Sequence, residues 1–395
     1  MRTCVSERLR ELMAEGIALR LFPGAVAYVS RGGQPLFHEA FGARGYDGGG
    51  ASLIGQIGPI RPIGPMCPIG PIGPIDRADL FDLASLTKLY TAAVALRLVG
   101  TGILRLDEPV RKHVPEVEAD WTLEDLLAHR TGTTADLLGR ALRHGIRPCE
   151  PRQEAALWCV IFSCEAEVRL AKGESRYSDV DFLLVQAACE RATGRGLDAL
   201  MASEVLEPLG LRETCFCPAD RDRCVPTELD ERWRHRLVVG EVHDEMAATL
   251  GGVAGHAGLF ATAEEVGRFC EMWLERAPVS LPQDSEPAGG ARGREEEDRG
   301  RGRGGGRGRW GLAEALSPRS RDFGLGWRMC NQSFFPSLER LGAVGHLGFT
   351  GTSAFLFPGS GTVFVLLSNR VHPRRDAAPS RLPLLGRMCE TVAGV

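Results

Sequence analysis

Apolar residues recur at helical spacing at Leu9, Leu12 and Met13, which predicts a helix over residues 6–17. Gly24 then opens a different pattern. Residues 25–30 and 34–41, divided by Gly32-Gly33, read as a β-hairpin, and residues 353–357 and 362–367, divided by Pro358-Gly359, read as a second one. A lone hairpin is marginal in water, so the two are expected to pair into one antiparallel sheet. Between them, residues 86–98, 122–128, 179–191, 197–205 and 264–274 carry the helical period. The predicted fold class is α/β (α+β): an antiparallel sheet flanked by helices, with an inserted all-helical region. In a single domain spanning 1–395, residues 16–90 and 240–395 would form the sheet part and 91–239 the helical part.

Two stretches follow neither period. Of 49 Gly and 24 Pro, 21 fall within residues 54–75 and 288–311. The first repeats Ile-Gly-Pro-like triplets with Gly replaced at Arg61 and Cys67, too short and too broken for a collagen helix, and is expected to be an extended surface loop. The second is rich in Gly and Arg around an acidic block. RNA-binding tails look similar, but the acidic run offsets much of the charge, and a disordered loop is expected.

Composition narrows the function. With 44% apolar residues there is material for a core, which excludes global disorder, and 47 basic against 51 acidic side chains argue against a general nucleic-acid binder. No 18-residue apolar window offers a membrane span. The first 16 residues are charged throughout and lack an apolar signal core, so the protein reads as cytoplasmic as written; a truncated N-terminus would make it periplasmic or secreted. The 12 cysteines include no CxxC pair and are expected to be reduced and structural; Cys215, Cys217 and Cys224 lack a fourth ligand, and no metal site is expected.

The basic residues carry a sharper signal. All but three of the 47 are Arg, and the remainder are Lys88, Lys112 and Lys172. A position that stays Lys in such a chain is a candidate for one that needs a group able to give up its proton, and Lys88 is the one to examine. Lys88 follows Ser85 by three residues, which puts both on one helical face. A serine hydroxyl is a poor nucleophile until a base takes its proton, and a buried lysine can serve. Tyr177, one of four tyrosines, could share that proton. Gly345-His346-Leu347-Gly348-Phe349-Thr350-Gly351 could present backbone N–H groups to an oxyanion.

Ser85-x-x-Lys88, then Tyr177-x-Asp179, then His346-x-Gly348, in this order, resembles the motif set of the serine β-lactamase and penicillin-binding-protein-like family, on the side of class C β-lactamases, D-alanyl-D-alanine carboxypeptidases and family VIII esterases. The segments 126–132, 208–211, 226–228, 242–245, 250–260 and 367–373 are also similar to the family's, in family order. The resemblance implies a β-lactamase/transpeptidase-like fold, Ser85 as the acylated nucleophile, Lys88 as its proton acceptor and Tyr177 as the partner base that protonates the leaving group. His346 stands where many relatives have Lys. Backbone N–H groups of Ser85 and Phe349 would form the oxyanion hole, with Asp179 and Gly348 beside the substrate. No cofactor is implied.

Two departures shift the expected substrate. Asp179 replaces an Asn that contacts the acyl amide, and a carboxylate accepts but does not donate. It also favours a charged Lys88. Leu347 replaces the hydroxyl residue that helps hold a substrate carboxylate. The expected activity is a serine hydrolase working through an acyl-enzyme on esters, D-amino-acid peptides or β-lactams, in that order. The alternatives are an inactive member binding peptidoglycan-like fragments or a protein partner, and an RNA-associated protein using 288–311. His129, His243 and His256 are expected to serve loop packing and hydrogen bonding.

Overall fold

The computed structural model describes residues 2–46, 73–274, 315–377 and 379–394. The stretch 288–311, and 54–75 except its last three residues, lie outside them. Eleven strands are described: β1 (Gly24–Arg31), β2 (Gln34–Gly42), β3 (Phe81–Asp82), β4 (Cys215–Phe216), β5 (Leu229–Asp230), β6 (Arg236–Leu237), β7 (Leu259–Ala261), β8 (Arg328–Met329), β9 (Val344–Leu347), β10 (Ser353–Phe357) and β11 (Thr362–Ser368). Six form one sheet in the order β2-β1-β11-β10-β9-β8. The two hairpins predicted at opposite ends of the chain join through β1 and β11, antiparallel, with Ala25 opposite Ser368 and Arg31 opposite Thr362.

The two-residue period of the strands sorts their side chains onto two faces. Ala25, Ala27, Val29, Phe355, Phe357 and Phe364 pack with Leu9, Leu12 and Met13 of the helix Arg2–Ala18 and with Leu384, Leu385 and Met388 of the helix Leu382–Ala393. Val26, Tyr28, Ala354, Leu356, Val363 and Val365 face the other way, into a larger core. Phe269 and Trp273 of the helix Ala263–Leu274 cover that face. The same core continues into the helices Thr87–Gly100 and Asp179–Thr193. A sheet buried on both faces explains why its central strands are apolar almost throughout.

The segment 91–239 is mainly helical but not wholly so. It contains β4, which joins β3 and β7 in a three-stranded sheet, and the pair β5 and β6. These strands are two or three residues long, too short for any alternation to register. The helices Leu137–Arg143, Glu154–Phe162 and Leu382–Ala393 were likewise not predicted. The helix predicted over 197–205 runs as α-helix only to Met201 and continues as a π-turn, Ala202–Leu206. No helix among the described residues is long and apolar enough to cross a membrane.

Candidate active site

The helix Thr87–Gly100 buries residues on every side, the pattern of a central helix rather than an amphipathic one. It is reached from β3 through a sharp turn in which Ala84 adopts φ 46°, a left-handed conformation that costs a residue with a side chain about 1 kcal/mol. Asp82 holds the turn: one carboxylate oxygen accepts from the Ala84 N–H at 2.8 Å, the other from the His243 N–H at 2.6 Å. Ser85 follows at the mouth of a cavity of about 760 Å³.

One turn on, the Lys88 side chain is completely buried. Its Nζ donates to Ser85 Oγ at 3.0 Å and to the His256 carbonyl at 3.2 Å, and lies 2.7 Å from Asp179 Oδ1. The loop that carries His256 approaches so closely that a Cβ at Gly255 would collide with the Phe182 carbonyl. Burial pushes the Lys88 pKa down, but the charge of Asp179, then Tyr177, outweighs it, and the net direction is up. Burial pushes Asp179 up, and Lys88 followed by His256 brings it below the ordinary range. Lysine and carboxylate therefore rest as an ion pair, the consequence expected of Asp at this position.

Tyr177 stands over this pair, with Lys88 Nζ 4.8 Å from its ring centroid. Its ring is flanked by His129 at 4.7 Å, His346 at 6.0 Å and Phe323 at 6.2 Å. Burial of the phenol raises its pKa, only partly opposed by Lys88. The next residue, Ser178, caps the helix Asp179–Thr193: its Oγ accepts from the Val180 N–H and donates to the Thr134 carbonyl at 2.6 Å. That cap sets where Tyr177 and Asp179 sit.

A buried group absent from the sequence reading lies beneath Tyr177. Asp181 accepts from Thr131 Oγ1 at 2.6 Å and Thr133 Oγ1 at 3.0 Å, and its other oxygen is 2.8 Å from His129 Nδ1. These partners are about fifty residues away in sequence, so no local spacing reveals them. His129, His243 and His256 each meet a carboxylate: Asp181, Glu228 at 2.8 Å and Asp244 at 2.9 Å. Asp179, Asp244 and His256 bring one potential ligand atom each within 4.8 Å of one another, but the Lys88 ammonium already neutralises Asp179.

The opposite wall comes from β9 and the turn after it. His346 is buried in β9, and burial, then the Lys88 charge, holds its pKa well below the usual histidine value. It is therefore neutral. The turn is stapled to the Ser85 turn, with Thr350 Oγ1 donating to the Asp82 carbonyl at 2.8 Å and Thr352 Oγ1 to the Leu83 carbonyl at 2.9 Å. Only glycine fits at 348, where a Cβ would collide with Thr352 Oγ1 and stand 2.6 Å from the Leu83 carbonyl. Phe349 projects from this turn, half exposed, against His243, Arg370 and Arg375 at 5.7, 5.4 and 5.6 Å. Ser85, Tyr177, Asp179, His346, Gly348 and Phe349 thus line one cavity, with Lys88 beneath Ser85. Four cleft arginines, Arg328, Arg370, Arg375 and Arg381, escaped the sequence reading because 44 Arg make no single one conspicuous.

Comparison with known proteins points the same way. The family profile described as "Beta-lactamase" matches residues 9–385. An Escherichia coli (strain K12) protein named "Putative D-alanyl-D-alanine carboxypeptidase" is 27% identical over 318 residues, covering 72% of this chain and 68% of the relative. Among solved structures, EstCE1, described as a hydrolase with promiscuous acyltransferase activity, is similar with a TM-score of 0.67 and 18% identity, over 100% of this chain and 99% of that one. A class C beta lactamase matches with a TM-score of 0.67 and 14% identity, over 100% and 98%. At these identities the structural likeness speaks for the fold.

Proposed function

Because this chain belongs to the beta-lactamase family, within the serine hydrolase superfamily, we propose that it cleaves ester or amide carbonyls through an acyl-enzyme on Ser85. The observation that carries this reading is the 3.0 Å contact between Ser85 Oγ and the fully buried Lys88 Nζ, with Tyr177 over both. Ser85 Oγ attacks the carbonyl carbon as its proton passes to the Lys88/Tyr177 pair. The oxyanion is met by the N–H groups of Ser85 and Phe349. When the carbonyl reforms, the bond to the leaving group breaks and the pair returns the proton to that group. Water then gives a proton to the same pair, attacks the acyl carbon and restores the Ser85 hydroxyl. The pair must release one proton before it can accept another, because Lys88 rests as an ammonium and Tyr177 as a phenol.

Esters, D-amino-acid peptides and β-lactams all present a carbonyl this machinery could attack. Intact-mass analysis after a fluorophosphonate or penicillin probe tests the reading. One adduct on the folded wild type, absent from Ser85→Ala, is expected; an unlabelled folded wild type overturns it.

A further inference from the structure

The helix Glu154–Phe162 is apolar on every side after its first residue, a composition that belongs to a buried helix. Leu157, Val160 and Ile161 do pack into the core. Ala155, Trp158, Cys159 and Phe162, spaced three, four and seven residues from the first, form a second apolar stripe that the described residues leave uncovered. Ala155 and Cys159 are exposed, Trp158 and Phe162 half-buried. This stripe is one wall of a cavity of about 960 Å³ that shares no lining residue with the Ser85 cavity. The helix Asp179–Thr193 runs between the two, with Asp179 at the cleft and Glu190 and Arg191 at this cavity, about 17 Å along the axis.

The other walls are acidic. Glu116, Glu118, Glu165 and Glu190 line the cavity, with Arg191 as the single cation among its described lining residues. Arg191 is taken up by Glu116, which accepts from its Nη2 at 2.8 Å. Glu190 accepts from Gln186 Nε2 at 3.1 Å and from the Leu197 N–H at 2.9 Å, both neutral donors. Glu118 and Glu165 are exposed and meet no cation among the described residues. Arg140 donates to the Ser163 carbonyl at 2.9 Å without itself lining the cavity. Three carboxylates are thus left without a counter-ion. The rings beside them suit a cation: Trp158 and Phe162 stack with centroids 5.3 Å apart, and the Arg191 guanidinium stands 4.9 Å from the Phe162 centroid. Trp121 borders the same space. An aromatic face attracts a cation, most strongly where water is displaced, and the carboxylates add an attraction that a neutral ligand does not feel.

We propose that this cavity binds an organic cation, a substituted ammonium on an apolar body, with the body on the Ala155, Trp158, Cys159 and Phe162 stripe and the charged head among Glu118, Glu165 and Glu190. An anion is repelled by those carboxylates, and a neutral apolar ligand leaves them uncompensated. The volume suits a small molecule rather than a single ion. The site is independent of the chemistry proposed at Ser85.

Cys159, an exposed thiol of the stripe, reports occupancy, and Cys217, exposed outside the cavity, is the internal control. Iodoacetamide labelling of the folded protein is resolved by peptide while benzyltrimethylammonium is added, with N,N-dimethylbenzamide as the neutral counterpart of similar size. Labelling of Cys159 is expected to fall saturably, with half-protection at about 0.1 to 1 mM for a ligand this small, while Cys217 is unaffected. The amide should need about tenfold more. Glu118→Gln/Glu165→Gln changes only exposed side chains and should weaken protection by the cation about three- to tenfold while leaving that by the amide unchanged. Trp158→Leu should weaken the cation about tenfold, and the glutamine pair decides even where this variant fails to fold. No protection of Cys159 up to about 10 mM, equal protection by the amide, or an affinity untouched by the glutamine pair overturns the proposal. Ser85→Ala should bind the probe as wild type does, so a failed serine labelling counts only against the proposed reaction and a failed protection only against this site.

Discussion

The Lys88 ammonium and the Asp179 carboxylate lie 2.7 Å apart, with the lysine side chain sealed from solvent and its other face 3.0 Å from Ser85 Oγ. The residue we propose as acceptor of the Ser85 proton is therefore held protonated by its own neighbour.

Activity should accordingly climb with pH. Burial lowers the Lys88 pKa but Asp179 and Tyr177 more than reverse it, and burial raises that of Tyr177. The Lys88/Tyr177 pair thus loses its proton only on the alkaline side, and kcat/KM should rise about tenfold per pH unit through neutrality. Asp179→Asn removes the opposing charge while the burial stays, so the lysine pKa falls and the rising limb moves toward neutral pH. Stopped-flow acylation across pH 6 to 10 (a range of about four units) reads this directly. An unshifted limb in Asp179→Asn would mean that the ion pair does not set the base.

Lys88→Arg keeps the charge beside Asp179 and removes a group that can release its proton. Turnover should fall by about 10²- to 10⁴-fold, the usual range for losing a general base, with the thermal midpoint recorded alongside to separate chemistry from folding. Near-normal turnover would transfer the base role to Tyr177.

Thr352→Val deletes the bond from Thr352 Oγ1 to the Leu83 carbonyl that joins the Phe349 turn to the Ser85 turn. A hydrogen bond worth about 1 kcal/mol corresponds to about fivefold in rate if it is fully expressed in positioning. The loss should appear in kcat, with KM little changed.

Asp181→Ala strands His129, Thr131 and Thr133 without their acceptor in a fully buried site. Removing one partner from a buried charged network costs about 3 to 5 kcal/mol, which equilibrium urea unfolding would register. Because the His129 ring packs 4.7 Å from that of Tyr177, the variant should also lose activity under conditions where it is still folded.

The parts legible in the sequence are those decided by near neighbours along the chain. The two hairpins were readable because β-strands alternate every second residue between turns of Gly and Pro, and their union was readable because neither is stable alone. Ser85 and Lys88 could be paired because three residues of helix suffice to bring them together. The brief strands β3 to β8 carry too few residues for any period and arise only where a larger surface pairs them.

By itself, then, the sequence determined the four strands of the two hairpins, the helices 6–17 and 264–274 that cover them, and the order in which Ser85, Lys88, Tyr177 and His346 follow one another. Tertiary structure decided the charges. Whether Lys88 meets a carboxylate, whether His346 is held neutral and which of the cleft arginines meets a counter-ion all depend on groups scores to hundreds of residues apart and on how deeply each is buried. Electrostatic energies change over a few ångströms and with the local dielectric, and neither quantity is written in a linear pattern of residues.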